Sequence, residues 1–171
     1  MKKVFLFLAL ALALVLVVPV GAQGPSTYDS GFQVLNLSTT DAANITIEYY
    51  NMSDGVLATT ATDAIAASTS ATYYPVHASA GFDGSVVISS DQPIAAITNV
   101  VGDSFTFNSS YSGFAAGAST LQVPLLMNDN YGYDTWLNVQ NVGSNPTTVT
   151  LTYALNGCTY TTGTIQPGAA A

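Results

Sequence analysis

Two short motifs in this chain pair an Asp with a small hydroxyl residue, and together they raise the question of acid–base chemistry. Asp29-Ser30-Gly31 has the form of one half of an aspartic protease, in which two carboxylates share a proton and activate water. Asp134-Thr135 lies 105 positions further on and would be the other half. The correspondence then stops. Trp136 stands where a glycine would let the two loops approach each other, and neither Ser26-Thr27-Tyr28 nor Tyr131-Gly132-Tyr133 is the apolar strand that should carry the Asp. Each Asp is expected instead at a strand-entry turn, bonded to its own backbone. An aspartic hydrolase is kept only as the last of the alternatives.

The other reactive side chains are sparse. His77 is the sole histidine, and after Pro75 it reads as a solvent-facing loop residue with no Ser-His-Asp spacing around it. One His and one Cys do not supply a zinc site. Cys158 follows the turn Asn156-Gly157 and reads as a small buried residue opening a strand, with pairing between chains as the alternative. Asn128, Asp129, Asn130, Gly132 and Asp134 gather oxygen ligands in one loop, which is what calcium requires. The loop lacks the EF-hand spacing and its closing Glu, so an Asn/Asp-rich turn is expected, with calcium as the alternative and no other cofactor. Tyr49, Tyr50, Tyr73, Tyr74, Tyr131, Tyr133 and Trp136 could stack on sugars, although half of any alternating strand points into a core. Asn36, Asn44, Asn51 and Asn108 each head an Asn-x-Ser/Thr acceptor pattern. No catalytic residue is expected.

Charge narrows the classes further. The chain has 171 residues, ten of them acidic, and its only two bases are Lys2 and Lys3. Without those two lysines the net charge falls from −8 to about −10. A chain without Arg or Lys beyond position 3 has nothing to neutralise phosphates, which excludes ordinary nucleic-acid recognition, a P-loop, a Schiff-base lysine and an arginine finger.

Lys2 and Lys3 precede an apolar run over 4–18, and Pro19 with Val20-Gly21-Ala22 ends it. That pattern predicts a signal peptide over 1–22, cleaved after Ala22, and export to the cell surface or medium. No later run is long enough to span a bilayer.

The elements that would position these side chains come from an internal repeat. Tyr28-Asp29-Ser30 corresponds to Tyr133-Asp134-Thr135, Val34 to Val139 and Asn36 to Asn141. One deletion aligns Ile45-Thr46-Ile47-Glu48-Tyr49 with Val149-Thr150-Leu151-Thr152-Tyr153. Gly55 falls on Gly157 after a shortened turn, Ile65 on Ile165, and Ala66-Ala67-Ser68 on Gln166-Pro167-Gly168. The Ala-rich stretch 58–71 could be taken for a helix, but its partner holds Thr runs and Pro167-Gly168, so both are read as strand and turn. The second copy stops at Ala171, before counterparts of 84–89 and 94–101. A fragment is the favoured reading, and an open edge that accepts a strand from another subunit is the other.

Ile45, Ile47 and Tyr49 alternate with polar neighbours, as do Val149, Leu151 and Tyr153, which is the period of a strand with one buried face. Residues 94–101 are apolar on both faces and read as a central strand. Turn signals recur at Ser53-Asp54-Gly55, Asp83-Gly84, Asp91-Gln92-Pro93, Asn145-Pro146 and Asn156-Gly157, the spacing of sandwiches and barrels. The predicted fold is therefore all-β: an Ig-like antiparallel sandwich over 26–102, a linker or edge hairpin over 103–118, and a second, partial sandwich over 119–171.

The segment VQNVGSNPTTVTLTYALNG, with its weaker copy VLNLSTTDAANITIEYYNMSDG, resembles the turn-and-alternation signature of CARDB-type and related Ig-like modules of bacterial secreted and surface proteins. The segments GFDGSVVISSDQPIAAITNVV and YSGFAAGASTLQVPLLM are similar to repeats found in tandem in such proteins. Ser38 departs from the pattern where Gly is common. The resemblance implies extracellular adhesion, spacing or envelope assembly and carries no catalytic residues. The expected function is thus a non-enzymatic structural or adhesion module whose partners are other surface proteins or copies of itself. A carbohydrate- or calcium-dependent binding module is the alternative.

Overall fold

The computed structural model describes residues 27–102, 107–127 and 130–171. The predicted leader at 1–22, part of the 103–118 connection, and Asn128 and Asp129 of the calcium loop lie outside the described residues. Among the described residues every regular element is a strand, and no helix is long and apolar enough to cross a membrane.

Alternating sequence makes these strands. In β2 (Ala43–Asn51) Ala43, Ile45, Ile47 and Tyr49 are buried, while Thr46 and Glu48 between them are only half-buried. In β1 (Tyr28–Asn36) Phe32, Val34 and Asn36 point inward, and Gln33 and Leu35 point out. Burying one face of each strand requires a second layer of structure to cover it. The Ala-rich stretch forms β3 (Leu57–Ile65) and β4 (Ser70–Tyr73). They are followed by β5 (Gly84–Ser90), β6 (Ile94–Gly102) and β7 (Phe107–Ser112).

All pairings are antiparallel. One sheet runs β4-β1-β6-β7 and the other β3-β2-β5. The two sheets pack over a core of Phe32, Val34, Ala43, Ile45, Ile47, Tyr49, Ile65 and Tyr73. Phe32 stacks on Tyr73 at 5.0 Å between ring centroids. Phe82 meets Tyr49 edge-on at 5.8 Å and closes one end. Within these two sheets β2–β3 and β6–β7 are consecutive neighbours, and the connections β1–β2, β3–β4, β4–β5 and β5–β6 carry the chain from one sheet to the other. The expected sandwich is present, with β6 in the interior of its sheet, and the connection segment supplies β7 as an edge hairpin. The strand partition differs from that of immunoglobulin constant domains, where the first, second, fifth and fourth strands share a sheet. Here β1 and β2 lie in opposite sheets.

The second region, 119–171, is much sparser. β8 (Thr150–Thr152) pairs with β9 (Thr159–Thr161), and single bridges join Gln140 to Ala170 and Thr147 to Ile165. Only Asn141, Ile165 and Ala169 are buried there among the described residues. The turn was expected to be shorter than its counterpart, yet it is the same turn. Asn51 N–H donates to the Val56 carbonyl at 3.0 Å and Gly55 N–H to that of Asn51 at 3.0 Å. Tyr153 to Cys158 and Gly157 to Tyr153 repeat both bonds at 2.8 Å. The difference lies in the arms. Thr147 and Ile165 bridge as Ala43 and Ile65 do, but lie closer in sequence to their turn. Each arm has lost an even number of residues, which keeps the inward alternation in phase.

Candidate functional site

The most specific side-chain arrangement in the molecule surrounds Asn36, at the end of β1. Asn36 is 1% exposed, and its amide is fully committed. Its Nδ2 donates to the Asp41 carbonyl at 2.8 Å and the Ile65 carbonyl at 2.9 Å, and its Oδ1 accepts from Ser38 N–H at 2.9 Å. An amide offers two donor hydrogens and one acceptor oxygen, so one residue satisfies three backbone groups at the point where the chain leaves one sheet for the other. Asn141 repeats the arrangement. Its Nδ2 donates to Asn145 at 2.9 Å and Ile165 at 3.0 Å, and its Oδ1 accepts from Gly143 N–H at 2.9 Å. The backbone repeats as well: Asn36 N–H reaches the Thr69 carbonyl and Asn141 N–H that of Ala169, each at 2.9 Å. The sequence aligned these two asparagines but offered Asn36 as a glycan acceptor. Its burial withdraws it from that role. The missed signal was a polar residue held at a core position in both alignments.

A second cluster lies on the outer face of the β4-β1-β6-β7 sheet. Register sets Phe32 against Tyr73, which brings Tyr74 alongside Gly31. A Cβ at Gly31 would lie 2.9 Å from Tyr74 Cδ2, so the missing side chain is what lets the ring lie down on the strand. Tyr74 Oη donates to Asp29 Oδ2 at 2.8 Å. This bond raises the Tyr74 phenol above its ordinary range, because ionising it would remove the donor and place two anions together. Gln33, Thr72, Asn99 and Val101 border the ring, with a Gln33 Nε2 to Thr72 Oγ1 bond of 3.1 Å, and enclose a shallow cleft of about 260 Å³. Tyr74 remains 52% exposed. An aromatic face fixed flat beside amides and a hydroxyl can stack on an apolar ring face and bond the hydroxyls around it. Asp29 and Tyr74 were each singled out in the sequence, but their meeting depends on a register that residue spacing does not reveal.

The other predicted residues fall as follows. Asp29 lies within β1, opposite Val101 of β6, and not in the strand-entry turn expected of it; it also accepts from Ser30 N–H at 2.9 Å. Asn130 and Tyr133 exchange two backbone bonds of 3.1 Å around Tyr131 and Gly132, both at positive φ. This makes a two-residue type I′ turn over 130–133, just ahead of Asp134. Among the described residues no three His, Cys, Asp or Glu side chains converge. His77 is exposed; its N–H donates to Tyr49 Oη at 3.3 Å and its ring meets Tyr73 edge-on at 5.7 Å. Cys158 was expected to be buried and is exposed, as its counterpart Val56 also is, because both follow a hairpin tip that no sheet covers.

The aromatic row divides. Tyr49 and Tyr73 are core residues, and burial pushes both phenols up. On Tyr73 the 3.0 Å bond to Asp63 adds to that shift. Tyr131, Tyr133 and Trp136 are exposed, and Trp136 meets Tyr28 edge-on at 5.5 Å. Asn44 is taken by Asp91: its Nδ2 donates at 2.6 Å and its N–H at 2.8 Å. These bonds hold the Asp91 carboxyl below the usual carboxylate range, the side-chain bond contributing most.

No family model matches the chain, and no curated protein or solved structure matches it either.

Proposed function

We propose that this chain is a non-enzymatic, exported structural and adhesion module built from two copies of one β-sandwich unit, the second incomplete among the described residues. The observation that carries this reading is the paired Asn36 and Asn141 bracket, in which three side-chain bonds and one backbone bond recur at corresponding positions. A buried amide that satisfies backbone groups specifies a fold and leaves no polar atom for catalysis. The resemblance to CARDB-type surface modules fits the same reading, as does a chain without Lys or Arg beyond position 3. Its partners are other surface proteins or copies of itself. Protease shaving of intact cells, followed by mass spectrometry, tests the proposal. The expected result is chain on the exterior with Gln23 as its first residue; a cytoplasmic protein retaining Lys2 and Lys3 would refute it.

The Tyr74 cleft favours a second reading, a carbohydrate-binding module. Its test is binding to a panel of neutral oligosaccharides, with Tyr74→Ala abolishing any binding found.

A further inference from the structure

Among the described residues, the outward side chains of β4, β1, β6 and β7 include a single charge, that of Asp29. This charge stands at the Tyr74 ring. Gly31 leaves a gap in the outward row of β1 between Asp29 and Gln33, with Asn99 opposite it on β6. The Tyr74 ring lies against that gap, more than half exposed, with its hydroxyl on Asp29. Asp29 accepts that hydroxyl at Oδ2 and Ser30 N–H at Oδ1. A carboxylate offers about four acceptor sites, so two remain on this exposed group. Gln33 spends one amide hydrogen on Thr72 and keeps the other, along with its oxygen.

These groups select among ligands by charge. No Lys or Arg lies beyond position 3, so no cation is there to hold a carboxylated or sulfated sugar, and the acidic chain repels one. A hydroxyl beside Asp29 forms a hydrogen bond with one ionised partner. An ammonium group at the same place forms an ion pair and is drawn to the negative face of the Tyr74 ring as well. A lysine side chain from another protein would satisfy Tyr74 and Asp29, but its methylene stem offers nothing to Gln33, Thr72 and Asn99. A hydroxylated ring that carries an amine engages all five.

We propose that the Tyr74 cleft binds an amino sugar with a free ammonium group, its ring face on Tyr74, its ammonium on Asp29 and its hydroxyls on Gln33, Thr72 and Asn99. This rests on the carbohydrate-binding reading above and specifies the class of sugar. Tyr74 supplies the affinity and Asp29 the preference for the amine.

Calorimetric titration of the whole protein with β-1,4-linked tetramers of glucosamine, N-acetylglucosamine and glucose tests it, at about pH 6, where a primary amine is charged. The glucosamine tetramer is expected to bind about tenfold tighter than either neutral tetramer, the combined effect of an exposed ion pair and a cation–π contact. Asp29→Asn keeps an oxygen for the Tyr74 hydroxyl, removes the charge and levels the three affinities. Asp41→Asn removes an exposed charge beyond the far end of β1 and leaves the preference intact. A glucosamine tetramer bound no tighter than the neutral ones overturns the proposal and leaves the carbohydrate reading standing; failure of all three to bind ends both. A preference that survives Asp29→Asn, or that Asp41→Asn reduces equally, overturns the proposal and assigns the effect to the overall acidity of the chain. Binding that survives Tyr74→Ala overturns it by placing the sugar elsewhere. Tetralysine bound as tightly as the glucosamine tetramer overturns it in favour of a basic peptide.

Discussion

Asn36 and Asn141 hold the same three backbone groups with the same bond lengths to within about 0.1 Å, yet the regions around them differ in almost everything else. Around Asn36 two sheets close over eight buried apolar side chains. Around Asn141 a short hairpin and two bridges leave Leu155 and Tyr131 almost wholly in water. Local hydrogen-bond geometry therefore follows from the turn and bracket residues alone, while burial requires the strands that complete the sheets. The comparison separates what specifies the fold from what stabilises it.

Removing an inward side chain from each region gives the widest separation. Ile47 is fully buried and Leu151 is half-buried, both facing inward on the strand before the turn. Ile47→Ala is expected to cost about 3–4 kcal/mol, the lost transfer energy plus a cavity in a closed core. Leu151→Ala is expected to cost less than about 1 kcal/mol, because water already reaches it. Urea unfolding checks both, with Trp136 fluorescence reporting the second region. Equal losses would mean that the second region is as closed as the first.

The brackets come next. Asn36→Ala strands two carbonyls and one N–H in a dry interior, at about 3 kcal/mol for three bonds. Asn141→Ala removes the same bonds at a residue 8% exposed against 1% for Asn36, and a smaller loss of about 2 kcal/mol is expected. A loss at Asn141 matching that at Asn36 would show that bracket to be the main support of its region.

Much of this architecture was legible in the sequence, for identifiable reasons. Alternation at Ile45, Ile47 and Tyr49 reports one buried face whatever lies above it, and the turn residues Asp54-Gly55 and Asn156-Gly157 carry their own geometry. The offset between Asn36 and Asn141 was readable as well. Three features were not. Which strands share a sheet depends on tertiary packing, so the partition that separates β1 from β2 could not be read from spacing. Cys158 appeared buried because apolar character was taken for burial, and no sheet lies over that hairpin tip. The Tyr74–Asp29 pairing needs a register between residues 45 apart.

The two turn glycines sharpen the comparison at a smaller scale. Gly55 and Gly157 share a φ of +70°, a conformation that costs other residues about 1 kcal/mol or more. Gly157 has open space around it, so Gly157→Ala should cost only that amount. A Cβ at Gly55 would collide with the Pro167 carbonyl and lie 2.7 Å from Ala169 N, both of them backbone atoms. Gly55→Ala is therefore expected to cost about 2 kcal/mol and to part the Gln166–Ala169 turn from the first region. Loss of the Ala170 N–H to Met52 carbonyl bond of 3.1 Å, seen as faster exchange at Ala170, checks the parting.

The smallest effect has the opposite sign. Ser68 and Gly168 occupy the same place in matching turns, since Thr69 N–H bonds Ala66 as Ala169 N–H bonds Gln166. Both have positive φ, 58° and 80°. Serine pays about 1–2 kcal/mol in that conformation, and glycine does not. Glycine gives back part of that advantage, about 0.5–1 kcal/mol, through the greater freedom of its unfolded chain. The Ser68 hydroxyl offsets little more, since its contact with the Ser38 carbonyl is 3.5 Å long. Ser68→Gly is thus expected to stabilise the first region by about 0.5 kcal/mol, a small rise in the urea midpoint with an unchanged slope. A fall in the midpoint would mean that this long hydroxyl contact, and not backbone strain, governs the first turn, and that the two turns are alike in path but not in energetics.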